Sequence, residues 1–396
     1  MNNTQVMQGI STRCVHVGEI DDPQGSPHTP IYNTTTFVFP NTRELVEVVQ
    51  GNRTGNLYTR YGMHPNLRTL ESKLATLELS EAALCFGSGL AAESSTLLAL
   101  GKKGVVCYGD VYGGTYELMN NQLRSLGIRV EFVLNGEEQR LEEILRSGMG
   151  LLYFESPSNP TLDIQDIEAM AEMAHEHGAL VCVDNTFATP INQNPLELGA
   201  DVVVHSATKY LGGHSDITAG AVMSRQEIID LIAPWRKNLG QVPSPEVASL
   251  LCRSIRTLVL RVERQNNSAQ QIAEAMSGHP AVNRVLYPGL PDFPGHDVAV
   301  RQMRGFGGMV TLELDGDMED TARVADHFQL IRIGPSLGGA ESLCTQPVMT
   351  SHIDLTVEER QRRGISDSMM RLSIGFEDAE DLIADLNQAL EYLKKK

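Results

Sequence analysis

The chain lacks long apolar runs, paired cysteines and an even balance of charge. Its unbroken apolar stretches are strand-sized, so no transmembrane helix is expected. Residues 1–9 are polar and lack the apolar core of a signal peptide, which makes the cytoplasm the default expectation. The six cysteines (Cys14, Cys85, Cys107, Cys182, Cys252, Cys344) show no CxxC spacing, and no His-x-x-x-His pattern accompanies them. Neither a disulfide framework nor a metal site is suggested. Cys85, Cys107 and Cys182 lie in apolar, strand-like runs, where core packing rather than reactivity is the expected role. Lys and Arg number 32 against 50 Asp and Glu, a formal net charge of −18. That surface argues against nucleic-acid binding, which needs basic patches to neutralise phosphates. Lys394-Lys395-Lys396 reads as a short solvated tail, not a basic arm. No internal repeat and no low-complexity segment is present.

What is there suits a large core. The chain has 396 residues, 41% of them hydrophobic, which points to two domains. Residues 1–60 are rich in Pro, Thr, Asn and Gly and read as an extended arm with one short helix at 42–49, suited to wrapping a neighbouring subunit. From about Pro65 helical periodicity alternates with apolar runs at 82–86, 104–108, 129–133, 150–154, 180–183 and 202–205. A further strand fits 219–223. Helices are expected at 66–77, 90–100, 113–126 and 164–177. This alternation predicts an α/β fold with a mostly parallel, doubly wound sheet covered on both faces. A helix-rich stretch at 245–276 bridges to a smaller α+β C-terminal part, with strands at 282–287 and 308–314 and a last helix at 379–393. The expected division is an arm at 1–60, a large domain at 61–255 and a small domain at 256–396.

The chemistry-bearing residues fall where such a sheet places its active site, at the carboxyl ends of the strands. Lys209 sits in His205-Ser206-Ala207-Thr208-Lys209-Tyr210-Leu211-Gly212-Gly213, between a buried strand and a glycine pair. A surface role explains it poorly. An amine that holds an aldehyde cofactor explains it well, and pyridoxal 5′-phosphate (PLP) also needs phosphate donors and a carboxylate for its ring nitrogen. Phe86-Gly87-Ser88-Gly89-Leu90 fits either a tight strand-to-helix turn or an anion cradle at a helix start. Ser206 and Thr208 offer further phosphate donors. Asp184 ends an apolar strand 25 residues before Lys209. It is either a turn residue or the ring-nitrogen partner. Tyr112, before Gly113-Gly114, is either a core tyrosine or a ring that lies flat on a cofactor. Glu155-Ser156-Pro157-Ser158-Asn159-Pro160 is either a rigid loop or a turn that leaves Asn159 near the ring. Arg371, inside an apolar strand, needs an anion: an internal partner, or a substrate carboxylate that fits its fork.

Together these residues resemble the Cys/Met-metabolism family of PLP enzymes, which includes cystathionine γ-synthases, cystathionine γ-lyases and methionine γ-lyases. The resemblance runs from about Thr12 to Leu393. It is carried by Tyr58-Thr59-Arg60, Ser88-Gly89-Leu90, Asp110-Val111-Tyr112-Gly113-Gly114-Thr115, Glu155-Ser156-Pro157-Ser158-Asn159-Pro160, Val183-Asp184-Asn185-Thr186, the lysine run, Ser336-Leu337-Gly338-Gly339-Ala340-Glu341-Ser342 and Arg371-Leu372-Ser373-Ile374-Gly375. It implies a PLP-dependent transferase fold of type I with a seven-stranded sheet, and a homotetramer built as a dimer of dimers with shared sites. It implies that Lys209 binds the cofactor aldehyde and shuttles protons, that Asp184 pairs with the ring nitrogen, and that Tyr112 stacks and assists proton transfer. Gly89, Leu90, Ser206 and Thr208 would hold the phosphate, with Tyr58 and Arg60 reaching it from the neighbouring subunit. Arg371, Asn159 and Ser336 would hold the substrate carboxylate.

The activity this resemblance implies is γ-elimination on cystathionine, methionine or homocysteine, giving 2-oxobutanoate, ammonia and a thiol. The alternative is γ-replacement of an O-acylhomoserine by cysteine. Two further hypotheses, a type I aminotransferase and a non-catalytic PLP-fold protein, fit the Tyr-Gly-Gly turn and the retained Lys209, Asp184, Tyr112 and Arg371 less well. The chain also departs from the family pattern. Pro335 stands where many γ-lyases and γ-synthases carry glutamate, and Gly334-Pro335-Ser336 with Gln346-Pro347 is similar to a γ-synthase branch best known from plants. Leu57 replaces an acidic residue common beside Tyr58. Gly114 stands where methionine γ-lyases often carry cysteine. The first two changes make the distal pocket less polar, which favours a shorter or acylated substrate.

Overall fold

Seven apolar runs pair into one sheet in the computed structural model, which describes residues 9–353 and 355–394. Residues 1–8, Lys395 and Lys396, and with them most of the polar start and the basic tail, lie outside the described residues. The strands are Ala82–Phe86 (β1), Val105–Tyr108 (β2), Val130–Val133 (β3), Leu151–Glu155 (β4), Leu180–Asp184 (β5), Val202–His205 (β6) and Gly220–Ser224 (β7). Each lies within one residue of its expected bounds at either end. Their order is β1-β7-β6-β5-β4-β2-β3. β7 runs antiparallel to both neighbours, and the remaining pairs are parallel.

The strands read as continuous apolar runs because helices cover both faces. Val105, Cys107, Leu151, Tyr153 and Cys182 join one core with the helices Gly89–Leu100 and Gln226–Leu239. Val106, Tyr108, Leu152, Phe154 and Val181 alternate to the other, with Glu138–Arg146 and Ile167–Glu176. The cysteines expected in the core are fully buried there. Helix starts follow local chemistry. His64 Nδ1 accepts from Asn66 N at 3.3 Å and Pro65 takes the first helical position of Pro65–Leu77. Ser88 Oγ accepts from Ala91 N at 3.1 Å and so caps Gly89–Leu100. The expected helix at 113–126 is α-helical over Gly113–Glu117 and widens to π geometry over Leu118–Leu123.

The second sheet holds Val282–Leu286 (β8), Met309–Leu314 (β9), Arg332–Ile333 (β10), Leu343–Thr345 (β11) and Met369–Ser373 (β12), in the order β10-β11-β12-β9-β8. The expected helix-rich stretch is two helices, Pro245–Ile255 and Leu258–Met276. The second packs against β8, β9 and the helix Ala379–Leu390. Among the described residues, no helix is long and apolar enough to cross a membrane.

The helix expected within the arm is present at Thr42–Val49, and a second one that the reading at 1–60 did not expect precedes it. Ile10–His16 is a helix that packs on Pro65–Leu77 and Leu258–Met276 of its own chain. The cause is Lys73, a fully buried ammonium that donates to Cys14 O at 2.9 Å and pairs with Glu19 at 3.4 Å. Farther along, Val38 is 94% exposed, as an arm that reaches outward would be.

Arg261 of Leu258–Met276 grips the loop that carries Lys209. Its Nη1 donates to Tyr210 O at 2.7 Å and its Nη2 to Leu211 O at 3.3 Å. Gly213 closes this turn at φ 66°, and a Cβ there would overlap the guanidinium. Gly213→Ala combines left-handed strain with that overlap. It is expected to lower stability by about 2 kcal/mol or more. Thermal melting checks this, and an unchanged midpoint would show that Arg261 does not confine the turn.

Candidate active site

The carboxyl ends of β1, β2, β4, β5 and β6 open into one cavity of about 570 Å³, roofed by residues around 335–337 and 345–351 and by Arg371 of β12. Of the residues expected at the site, Gly89, Leu90, Tyr112, Asn159, Asp184, Ser206, Thr208, Lys209 and Arg371 line it. Ser336 joins them by accepting from Lys209 Nζ at 3.1 Å.

One wall presents backbone donors. The helix Gly89–Leu100 points its N-terminus into the cavity, and its first N–H groups have no intrahelical partner. The backbone approaches closely: a Cβ on Gly89 would lie 2.8 Å from Ser206 Cβ. Gly87-Ser88-Gly89 is thus a capped strand-to-helix turn whose Ser88 and Gly89 line the cavity, so the two readings do not exclude each other. Ser206 lines this wall. The Thr208 hydroxyl donates to Ala219 O at 3.2 Å, which engages its proton within the chain.

A second wall carries three buried carboxyls, Asp184, Glu155 and Glu93. Burial raises all three above the ordinary carboxylate range, and each feels the charge of a neighbour. Glu93 is pushed up to about 8, first by burial and then by Asp184. Asp184 Oδ1 accepts from Thr186 N at 2.8 Å, which favours its ionised form. Glu155 Oε1 accepts from Tyr112 N at 2.6 Å and so fixes the backbone below the Tyr112 ring, which is 51% exposed at the mouth. Among the described residues none of the three carboxyls makes an ion pair. A buried carboxylate at a strand end without a cation fits a protonated ring nitrogen.

The cations stand across from them. Burial, and then the nearby Arg371 charge, lower the Lys209 amine from its usual range. Burial brings Arg371 down to about 10. Arg371 Nη1 donates to Asn159 Oδ1 at 2.8 Å and Nη2 to Ser336 O at 3.4 Å, while its buried Nε has no partner among the described residues. A guanidinium met only by neutral acceptors suits an incoming carboxylate. Donor-rich turn, unpaired carboxylate, depressed lysine and open arginine fork together fit PLP with an amino acid beside it.

Beneath the site, Glu78 ties two strand ends together. Its Oε1 lies 2.6 Å from His205 Nε2 and accepts from Asn185 Nδ2 at 2.8 Å, while Oε2 accepts from Asn194 Nδ2 at 3.1 Å. His205 ends β6 and Asn185 follows Asp184, so this one carboxyl sets the spacing between Asp184 and the lysine loop.

Tyr58 and Arg60 do not reach the cavity of their own chain. Arg60 donates to Lys237 O at 3.0 Å and lies 5.7 Å over the Tyr58 ring on the surface. Sequence reasoning missed Glu93. Its signal is a lone acid in an otherwise apolar or small-residue helix. Thr115, Phe187, Thr345 and Leu337 were also given no role of their own; Thr115 hydrogen-bonds Glu93, and the other three line the cavity.

A sequence model of the family described as Cys/Met metabolism PLP-dependent enzyme matches residues 11–391. The chain is 43% identical over 397 residues to an L-methionine gamma-lyase from Pseudomonas deceptionensis, with 99% of each chain covered. It is also 43% identical to cystathionine gamma-synthase 1, chloroplastic, from Arabidopsis thaliana, over 92% of this chain and 65% of that protein. The solved structure of cystathionine gamma synthase from Xanthomonas oryzae pv. oryzae in complex with cystathionine matches with a TM-score of 0.91 and 37% identity, over 98% of this chain and 99% of that one.

The lowered Lys209 amine is open to measurement in protein stripped of cofactor. Trinitrobenzenesulfonate labelling of Lys209 is expected to rise with pH through a midpoint below the ordinary lysine range. Arg371→Leu should move that midpoint upward by removing a neighbouring positive charge. Peptide mapping across pH reads both, and an ordinary midpoint in the parent protein would contradict the assignment.

Proposed function

The chain belongs to the Cys/Met metabolism PLP-dependent enzyme family, and from that premise we propose that it is a carbon–sulfur lyase. Its reaction is γ-elimination on methionine, homocysteine or cystathionine. Water is consumed, and 2-oxobutanoate, ammonia and the thiol leave. The observation that carries the chemistry common to this reading and its alternative is the junction of Lys209, Ser336 and Arg371, in which the amine that moves protons and the fork that binds the substrate share one residue; the uncharged wall at Pro335 and Leu337 supports the lyase. Bound PLP supplies a sink for the electrons left at the substrate Cα.

The chain's own residues do the rest. Gly89, Leu90 and Ser206 hold the phosphate at the helix start, with Thr208 bracing that wall, and Asp184 holds the ring nitrogen. Arg371 binds the α-carboxylate with Asn159 and Ser336 around it. This leaves Cα within reach of Lys209, whose lowered pKa suits it to taking the Cα proton and delivering it to Cβ. Tyr112 stands at the mouth, where it stacks on the ring and assists proton transfer towards the sulfur on Cγ. The residues around Pro335 and Leu337 present no charge to the γ-substituent, which supports a thioether without a distal ammonium group.

One observation favours a second reading, γ-replacement of an O-acylhomoserine by cysteine: Pro335 lines the cavity in the Gly334-Pro335-Ser336 run that resembles plant γ-synthases. We also propose a homotetramer with shared sites, with an arm at 1–60, a large domain at 61–255 and a small domain at 256–396. The exposed Tyr58 and Arg60 support the sharing, and among the described residues no strand of one sheet lies in the other's stretch of chain, which supports the division into a large and a small domain.

Lys209→Ala is expected to abolish turnover while retaining some cofactor. Arg371→Ala should raise KM far more than it lowers kcat. Product analysis with methionine, homocysteine, cystathionine and O-acylhomoserines, with and without cysteine, decides between the two readings. Cysteine-dependent cystathionine formation without 2-oxobutanoate would sink the lyase. Sharing is tested by mixing subunits. A Lys209→Ala chain and an Arg60→Ala chain should restore activity as a hybrid, and no restoration means that Arg60 does not serve its neighbour's site.

A further inference from the structure

Glu93 is a carboxyl that the fold does not need. It stands four residues into the helix Gly89–Leu100, one turn below the Gly89 N-terminus on the same side. Ala92 and Leu97 fill the core from this helix, and a small or apolar residue at 93 would pack without the cost of burying an acid. Instead Glu93 is 4% exposed and lines the cavity that also holds Asp184 and Lys209. Its Oε2 accepts the Thr115 hydroxyl at 2.5 Å, and among the described residues that is its one hydrogen bond. Oε1 is left to whatever occupies the cavity.

We propose that Glu93 is a second carboxyl contact for the cofactor ring, beside Asp184, and that it serves as the neutral acid. The inference rests on the reading of Asp184 as the partner of the ring nitrogen. Two carboxyls that face each other in a buried site do not both ionise near neutrality. Asp184 keeps the charge, because Thr186 donates to it and His205 lies near. With Thr115 on Oε2, the acid proton of Glu93 sits on Oε1, where it is a donor. The other groups that face Glu93 are Glu155 and Tyr153 of β4, Cys107 of β2 and Cys182 of β5. Burial pushes all four upward and so towards their neutral forms, and as acids none of them offers a positive charge. The ring therefore meets one negative charge from Asp184 and one neutral donor from Glu93. Ionisation of Glu93 in the mildly alkaline range adds a second negative charge beside the ring.

The test uses the full-length protein stripped of cofactor and titrated with PLP, followed by its visible absorption band and by that band's dependence on pH. The parent protein is expected to show a step in the band at mildly alkaline pH. Glu93→Gln keeps the shape and the neutral state, so it should bind PLP within about threefold of the parent and lose the step. Glu93→Leu should weaken PLP binding about tenfold, as the loss of one buried hydrogen bond does. Thr115→Val removes a contact that lowers the Glu93 pKa, and so should move the step to higher pH. A step retained in Glu93→Gln, or parent-like affinity in Glu93→Leu, overturns the proposal. If Glu93→Leu does not fold, the Glu93→Gln and Thr115→Val titrations decide alone. Asp184→Asn separates the two levels. Parent-like affinity there removes the Asp184 reading itself, whereas weak binding there with silent Glu93 variants removes only the present inference.

Discussion

The site depends on a buried arginine that no carboxylate neutralises. Arg261 makes no ion pair among the described residues, and burial brings its pKa down to about 10. Carbonyl and hydroxyl oxygens satisfy it instead: Tyr210 O at 2.7 Å, Ser254 O at 2.9 Å, Thr257 Oγ1 at 3.2 Å and Leu211 O at 3.3 Å. Charge-assisted bonds of this kind are directional, so a planar fork fixes the carbonyls that it meets. One turn along the same helix, Gln265 Nε2 donates to Gly339 O and Ile374 O, each at 3.1 Å. Two side chains on one helical face thus fasten the lysine loop of the first sheet to the 336–339 loop and the end of β12 in the second. The 3.1 Å contact between Lys209 and Ser336 exists because both of its ends are held by that helix.

Polarity in the cavity follows from where each element stops. A helix that begins at Gly89 presents free N–H groups and the positive end of its dipole. Strands that end at Glu155 and Asp184 present carboxyls that make no ion pair among the described residues. A ligand with a phosphate and a basic ring satisfies both walls and fits in one orientation. In the proposed reading the open fork of Arg371 then sets the position of the substrate carboxylate. Orientation is therefore largely built before anything binds, which is how a site limits the entropy lost in reaching a reactive geometry.

The parts legible in the sequence are those whose physics is local. Runs such as Val202–His205 had to be strands because they are apolar on both faces and too short for helices. Lys209 and Asp184 stood out because a charge at the end of such a run requires a reason. The arm was harder. Ile10–His16 docks on its own chain through Lys73, and a lysine among the polar residues of the mixed helix Pro65–Leu77 gives no hint of the partner 58–59 residues earlier. Gln226–Leu239 was missed because Pro234 lies inside it. β10 and β11 span two and three residues, too few for a period to register. Glu93 was hidden by the same rule that found the helix, since an acid among small and apolar residues ordinarily marks the solvent face.

A framework common to relatives of both kinds does not choose between elimination and replacement. The chain is equally identical, at 43%, to a protein named for each activity. Holding the cofactor, binding the α-carboxylate and moving protons between carbons are needed in both. The choice falls on what reaches Cγ once the bond there has opened, and hence on the wall beyond the reacting carbons. Pro335 is part of that wall, and it also precedes Ser336, whose hydroxyl accepts from Lys209 and whose carbonyl accepts from Arg371. A proline has a fixed φ and offers no N–H. It sets the approach of the chain to Ser336 and offers a distal group nothing to bond. Changing residue 335 therefore changes two things together, the wall beyond the reacting carbons and the placement of the Lys209 amine.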